Sequence, residues 1–284
     1  MAQLLEGKLI AERLRNEAAA EAAELKKSGV VPKLVAVQAG ENPASAVYLK
    51  SQKNQCAKVG LDYELRTCPA DIGQAELAAE IERLNQDRSV NGIILQMPLP
   101  GQLDGRKLQA AILPEKDVEG ITPANLGRLV LAKPRFVPCT AAGVMELLKS
   151  TGDNLYGKEA VVVGHSEIVG KPLALLLLAE FVTVSVCHIA TGERGHLADH
   201  VGRAEILVVA VGKAGLIKGE WIQKGATVID VGINRVGDKL VGDVEFEAAA
   251  ERAARITPVP GGVGPLTVAM LIRNTVLAAR AALG

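Results

Sequence analysis

The sequence predicts an α/β protein of two domains: an N-terminal α/β substrate domain, then a Rossmann-like nucleotide-binding domain with a parallel sheet. Three observations predict it. Short apolar strands alternate with helical stretches through both halves of the chain, which implies parallel β/α units. A strand in the second half, EAVVVG, runs through a glycine turn straight into the helical run KPLALLLLA. Between the halves, residues 114–138 lose the alternation and contain ITPANLGRL and KPRFVPCT, which places the domain junction there. The expected division is residues 1–138, completed by the C-terminal helix 267–284, for the first domain, and 139–266 for the second.

Each element has a local reason. Residues 7–28 carry Ile10, Leu14, Ala18, Ala22 and Leu25 at helical spacing, with Gly29 as a stop. KLVAVQAG (33–40) is a short strand between Pro32 and Gly40. A helix is expected from Ala44 to Val59, ended by Gly60. LDYELRTC (61–68) alternates like a strand, and QAELAAEIERLNQ (74–86) is an amphipathic helix. NGIILQMPLP (91–100) reads as a buried strand stopped by prolines. A helix over 140–150 follows, with Thr140 as its expected cap. Strands are expected at 159–164, 182–188, 205–212 and 226–232, and an Ala- and Leu-rich helix closes the chain over 266–282.

Composition excludes several functions. The 284 residues contain 32 Lys+Arg and 32 Asp+Glu, so no broad basic surface for nucleic acid is present. Aromatic residues are only 2% of the chain (one Trp, three Tyr, three Phe), too few for a base-stacking platform. Cys56, Cys68, Cys139 and Cys187 lack paired spacing and are expected as small core hydrophobes, with no metal site. His196 and His200 are read as a surface helix face. The N-terminal stretch lacks a continuous apolar signal core, and the run Leu173–Ala179 is too short to span a bilayer. The expectation is a cytoplasmic protein with no membrane partner.

The strand end Gly164-His165-Ser166-Glu167-Ile168-Val169-Gly170 puts backbone N–H groups at the positive end of a helix dipole, a suitable place for pyrophosphate. Its spacing is not G-x-G-x-x-G, so the βαβ context carries the reading. The next strand ends in Cys187-His188-Ile189-Ala190-Thr191, with neither the acid expected for NAD nor the Arg or Lys expected for NADP. His165, Lys171 and Arg194 are the nearby cationic candidates, and the residues leave the cofactor open. The loop ITPVPGGVGPLT (256–267) holds three glycines and three prolines, a stiff backbone that a flat ligand can approach closely. DVGIN (230–234) would place Gly232 and Ile233 at the sheet's carboxyl edge. In the first half, Gln52 shares the helix face of Tyr48. Gln96 ends a strand beside two prolines, and Asp117 and Glu119 sit in the turn KDVEG.

Seven stretches, taken in order, carry a resemblance over essentially the whole chain: ENPASAVYLKSQ, GIILQMPLP, PEKDVEGITPANLGRL, VPCTAAGVMELL, VVVGHSEIVGKPLA, VIDVGIN and ITPVPGGVGPLTVAML. They resemble the methylenetetrahydrofolate dehydrogenase/cyclohydrolase family, and the PGGVGP loop is its most specific signal. The resemblance implies a homodimeric enzyme of one-carbon folate metabolism that binds tetrahydrofolate one-carbon derivatives in a cleft between its domains. Such enzymes oxidise 5,10-methylenetetrahydrofolate by hydride transfer to a nicotinamide cofactor. Many then hydrolyse the methenyl product to 10-formyltetrahydrofolate.

It also implies site residues. Tyr48, Gln52, Gln96 and Glu119 fall at the catalytic positions. Tyr48, Gln96, Pro98, Glu119 and the loop Pro260, Gly261, Gly262, Val263, Gly264 and Pro265 fall at the folate-binding ones. Gly164, His165, Ser166, Ile189, Arg194, Gly232 and Ile233 fall at the cofactor-binding ones, with NADP expected and NAD possible. Two departures touch the site. Gln52 stands where the family has the lysine tied to cyclohydrolase proton chemistry, and Glu119 replaces the usual Asp. An amide cannot accept a proton near neutral pH, so the expectation is a dehydrogenase whose cyclohydrolase step is weak or absent. Lys53 points about 100° further round the helix and is a poor substitute. At two cofactor positions, His165 stands for a common Arg and Ile189 for a common Ser, which removes 2′-phosphate contacts. Three alternatives compete: a fully bifunctional enzyme with a rewired proton path, another two-domain dehydrogenase such as a shikimate-like one, and a non-catalytic nucleotide-sensing relative. The PGGVGP loop speaks against the second of these.

Overall fold

The computed structural model describes residues 1–41 and 43–283; Asn42, within the ENPASAVYLKSQ stretch, and Gly284 lie outside them. Strand β1 (Gln3–Leu4) and helix α1 (Gly7–Lys27) open the chain, followed by β2 (Lys33–Ala39), α2 (Pro43–Val59), β3 (Asp62–Cys68), α3 (Gln74–Gln86) and β4 (Gly92–Leu95). Two short helices, α4 (Gly105–Ala110) and α5 (Pro123–Val130), lead to α6 (Cys139–Ser150). Then come β5 (Glu159–Val163), α7 (Gly170–Ala179), β6 (Thr183–Cys187), α8 (Ile189–Glu193), α9 (Leu197–Val201) and β7 (Ile206–Val209). The last stretch holds β8 (Thr227–Asp230), β9 (Asn234–Val236), β10 (Lys239–Val241), α10 (Phe246–Arg252), β11 (Arg255–Ile256) and α11 (Gly264–Ala281).

The chain divides into two compact units, one of residues 1–11 and 138–267, the other of residues 12–137 and from 268 onward. The expectation that residues 1–11 belong with the first domain gives way here. Strand β1 pairs in parallel with β11, Gln3 opposite Arg255 and Leu4 opposite Ile256, so the N-terminus completes the sheet of the nucleotide-binding half. Nothing local in MAQLL announces that pairing, because its partner lies some 250 residues away.

In the unit of residues 12–137 and 268 onward, three parallel strands run in the order β3-β2-β4. A single parallel bridge between Ile93 and Asp117 lengthens the sheet at the β4 edge. One face packs Val35, Val37, Ile93 and Leu95 against Leu77, Ile81 and Leu84 of α3 and Leu108 of α4, a continuous buried cluster. β4 is shorter than the expected 91–100 strand: Gln96 still donates its N–H to the Val37 carbonyl at 2.8 Å, but Pro98 and Pro100 have no N–H to continue the ladder. The stretch expected to be irregular holds α5, with the Thr122 hydroxyl accepting from the Asn125 N–H at 3.4 Å and Pro123 in its first turn.

The other unit carries six parallel strands in the order β1-β11-β8-β7-β5-β6. From β5 the chain steps outward to β6 and then returns to the opposite side of β5 for β7, which makes a topological switch point between β5 and β7. Val161, Val163, Leu207, Val209 and Val228 pack one face against Leu197 and Val201 of α9 and Ala249 of α10. Val162, Val208 and Ile229 alternate onto the other face and are equally buried, as the continuous apolar runs required. Helix α6 begins at Cys139 with Pro138 in the capping position, so Thr140 is inside the helix and its hydroxyl meets that of Thr267 at 3.3 Å. All four cysteines are buried free thiols, and Cys68 and Cys187 belong to the two cores just described. Among the described residues no helix is long and apolar enough to cross a membrane.

Candidate active site

The turn between β5 and α7 is built by backbone crowding. Gly164 has φ +114°, and a Cβ there would lie 2.3 Å from the Ala210 carbonyl oxygen. A Cβ on Gly170 would lie 1.9 Å from the Gly164 carbonyl oxygen, so strand and helix meet with no room for a side chain. The Ser166 hydroxyl accepts from the Val169 N–H at 3.1 Å and its carbonyl accepts from Lys171 N–H at 3.0 Å, which orders the turn. A dinucleotide phosphate fits this cradle: it is bare of side-chain bulk, precedes a ten-residue helix and sits at the switch point.

The other expected cofactor residues belong to the same unit. The rings of His165 and His188 are tilted against each other with centroids 5.2 Å apart, so the residue after Gly164 and the residue after β6 share one place. Ile189 is 78% exposed beside them, and Arg194 is an exposed residue closing α8. At the end of β8, a Cβ on Gly232 would lie 2.2 Å from the Asp243 carboxyl, and Ile233 is largely exposed. The 256–267 loop approaches the same place: the Ile233 Cδ1 lies 3.8 Å from where a Gly264 Cβ would be. That loop is pinned from an unforeseen direction. Gly7 N–H donates to the Gly261 carbonyl at 3.0 Å, and a Cβ on Gly7 would lie 1.9 Å from the Gly262 carbonyl oxygen. Val263 is buried, whereas Pro260 is exposed and Gly261, Gly264 and Pro265 are half-buried.

In the other unit, the expected folate residues Tyr48 and Gln52 lie on α2, Gln96 directly follows β4, and Glu119 lies in the KDVEG turn. Tyr48 lies on α2 and is 37% exposed. Gln52, one turn on, is fully buried, and its Oε1 accepts from the Tyr63 hydroxyl at 3.2 Å. Cys56 occupies the next turn. Burial pushes its thiol up to about 12. Burial first, then the neighbouring Cys56 and Tyr48, raises the Tyr63 phenol well above its usual value. This strip therefore stays uncharged at neutral pH. Gln96 follows β4 half-buried, and its Oε1 has no hydrogen-bond partner among the described residues.

The turn KDVEG divides its two acids. Asp117 is fully buried and accepts from Gly120 N–H at 3.0 Å, Thr122 N–H at 2.7 Å and Asn125 Nδ2 at 2.8 Å; it builds the turn. Glu119 is half-buried, and its carboxyl is pushed up to about 8, by loss of water first and by Asp117 second. A cleft of about 460 Å³ opens beside α2, lined by Gln38, Lys50, Lys53, Tyr63, Leu65 and Thr67 among others. It includes Lys50 and Lys53 and none of Tyr48, Gln52, Gln96 or Glu119.

Two family models cover most of the chain. Residues 5–119 match the tetrahydrofolate dehydrogenase/cyclohydrolase catalytic domain, and residues 138–283 match that family's NAD(P)-binding domain. The chain belongs to the tetrahydrofolate dehydrogenase/cyclohydrolase family. It is 52% identical over 281 residues to the bifunctional protein FolD of Geotalea uraniireducens, covering 99% of each chain. Its fold matches the bifunctional FolD dehydrogenase/cyclohydrolase of Campylobacter jejuni with a TM-score of 0.96, at 41% identity and 99% of each chain. The FolD enzyme of Trypanosoma brucei, solved with NADP and an inhibitor, superposes with a TM-score of 0.94 at 40% identity, over 99% of this chain and 98% of that one.

For a family member, sequence reasoning missed several residues. Tyr63 could not be tied to Gln52, because strand alternation gives a face and not a partner. Gly7 carries no local signal for its contact with the 260–265 loop. Asp230 and Asp243, both buried, appear in the strings DVG and GDV, where a glycine adjoining or nearly adjoining an acid was the available clue.

Proposed function

We propose that this family member oxidises 5,10-methylenetetrahydrofolate to the methenyl form with NADP or NAD as acceptor, and that its cyclohydrolase step is weak or absent. The observation that carries the second half is Gln52. Its amide is buried against the Tyr63 hydroxyl and beside Cys56, whose thiol, like the Tyr63 phenol, is raised well above its usual value by burial. Hydrolysis of a methenyl carbon needs a group that takes a proton from water, and this strip offers none. The oxidation needs less from the protein, because the folate nitrogens stabilise the developing cation and alignment does most of the work. A bound nicotinamide would supply hydride acceptance: one proton with two electrons from the methylene carbon.

The chain's own residues then have distinct tasks. Gly164, Ser166 and Gly170 receive the phosphates, and Gly232 and Ile233 with the 260–265 loop present a backbone surface with little bulk. Tyr48 offers a ring and hydroxyl to the folate, with Pro98 beside the strand end that carries Gln96. The unpartnered Gln96 Oε1 awaits an N–H donor of the kind a pterin edge carries. Glu119, largely protonated at pH 7, can donate as well as accept. NADP is favoured by His165, His188 and Arg194, with no carboxylate at the end of β6. A homodimer in the cytoplasm belongs to the same proposal.

One observation favours a bifunctional enzyme instead: Glu119 titrates at about 8 and could exchange a proton with water near neutrality. A spectrophotometric assay of methylenetetrahydrofolate with each cofactor, followed by decay of the methenyl compound, separates the readings. Oxidation without accelerated decay supports ours. Accelerated decay abolished by Glu119→Gln supports the other, and no absorbance change with either cofactor removes both.

A further inference from the structure

Two carboxylates outside the residues assigned so far lie beneath the cofactor cradle, in the same unit. Asp230 ends β8 and is 4% exposed; Asp243 follows β10 and is fully buried. The donors to both carboxyls are main-chain N–H groups and the Asn234 amide. Asp243 Oδ2 accepts from Val211 N–H at 2.8 Å and Gly212 N–H at 2.9 Å. Its Oδ1 accepts from Lys213 N–H at 2.8 Å and Asn234 Nδ2 at 2.8 Å. Asp230 in turn holds Asp243, through the N–H of Asp243 at 3.0 Å and of Val244 at 2.8 Å, and holds Gly232 N–H at 3.0 Å.

The space around the pair is closed. A Cβ on Gly242 would lie 1.9 Å from Asp230 Oδ2, and one on Gly232 would lie 2.2 Å from Asp243 Oδ1. The segment that Asp243 fixes, residues 211–213, continues from Ala210, whose carbonyl oxygen stands 2.3 Å from where a Gly164 Cβ would be. Asn234 adjoins Ile233. One buried carboxylate therefore ties the wall facing the phosphate turn to the strand end that displays Ile233, and burial of such a charge is tolerated only because four donors converge on it.

We propose that Asp243 is a positioning residue for the dinucleotide cofactor: its carboxylate locks residues 211–213 and 233–234 into the shape that receives it. The proposal rests on cofactor binding at the β5–β7 switch point. Fixing both loops before binding removes the ordering cost that the cofactor would otherwise meet.

The test is titration calorimetry with NADP and with NAD on the full-length protein, wild type and Asp243→Asn, alongside steady-state kinetics and amide exchange. Asn keeps the shape but turns an NH2 group toward N–H donors. The expected result is a cofactor Kd raised by about tenfold or more, with KM for the cofactor rising alike, and faster exchange at residues 211–213. KM for the folate and kcat at saturating cofactor should stay within about twofold, a split that general loss of structure would not produce. Asn234→Ala removes one donor and should raise Kd about threefold; it decides the matter if Asp243→Asn does not fold. A folded variant with unchanged cofactor Kd, or a loss confined to kcat, overturns the proposal. Wild-type protein that binds neither cofactor overturns the switch-point reading on which it rests.

Discussion

On the function proposed above, the two units hold their ligands by different means. In the nucleotide-binding unit the working parts are main chain: Gly164 and Gly170 touch with no side chain between them, and Asp230 and Asp243 spend their oxygens on backbone N–H groups. In the other unit the proposed working parts are side chains: Tyr48 and Gln52 on α2, Gln96 just after β4 and Glu119 in the KDVEG turn. A backbone site tolerates almost any neighbour and no extra carbon. A side-chain site tolerates substitution but changes its chemistry with each one. Both departures from the family's catalytic pattern, Gln52 and Glu119, fall in the side-chain site.

Breaking the backbone site should cost most. Gly170→Ala places a carbon 1.9 Å from the Gly164 carbonyl oxygen, which cannot be relieved by a rotamer change. The expected outcome is loss of cofactor binding by a hundredfold or more, corresponding to roughly 3 kcal/mol for overpacking, read by calorimetry. Folate-analogue binding that fell equally would refute the division of labour.

Changing the side-chain site should alter chemistry instead. Gln52→Lys returns a titrating group to the buried strip beside Tyr63. Decay of the methenyl compound should accelerate by about a hundredfold, the usual scale of general acid–base assistance, while oxidation changes little. Lack of any acceleration would show that the missing lysine is not what limits hydrolysis.

Smaller effects follow from pH and from single hydrogen bonds. Burial, then Asp117, pushes the Glu119 carboxyl up from its ordinary 4.5 to about 8, so the folded state holds the proton more tightly than the unfolded chain. Its contribution is therefore fully present below about pH 4.5 and is lost as pH rises through about 8. The melting temperature of the wild type should fall relative to Glu119→Gln between pH 5 and pH 8.5; a constant difference would contradict the assigned environment. Tyr63→Phe leaves Gln52 Oε1 without its donor and should cost about 1 kcal/mol, a drop of roughly 2–4 °C in Tm.

The same contrast decides what could be read in advance. Helices and strands of both halves were legible because buried parallel strands such as Val161–Val163 and Ile93–Leu95 are continuous apolar runs, and because Gly29, Gly60 and Gly164 stand at element ends. The glycine turn and the positions of Tyr48, Gln52, Gln96 and Glu119 were legible by order and residue type. Long-range pairings were not. Strand β1 reaches β11, Gly7 reaches Gly261, and Asp243 reaches residues 211–213 only through the β9–β10 hairpin that returns it to Asp230. Asp117 and Glu119 looked alike in KDVEG, and only burial separates the one that holds the turn from the one displayed beside it.

On the proposed function, oxidation persists while hydrolysis is lost because Gln52 cannot take a proton. The direct measurement adds 5,10-methenyltetrahydrofolate to wild-type protein whose dehydrogenase activity has been established in the same preparation, and follows its decay against buffer alone. The account predicts decay within about twofold of the uncatalysed rate. An acceleration of about a hundredfold, the range that a working acid–base group supplies, would contradict it.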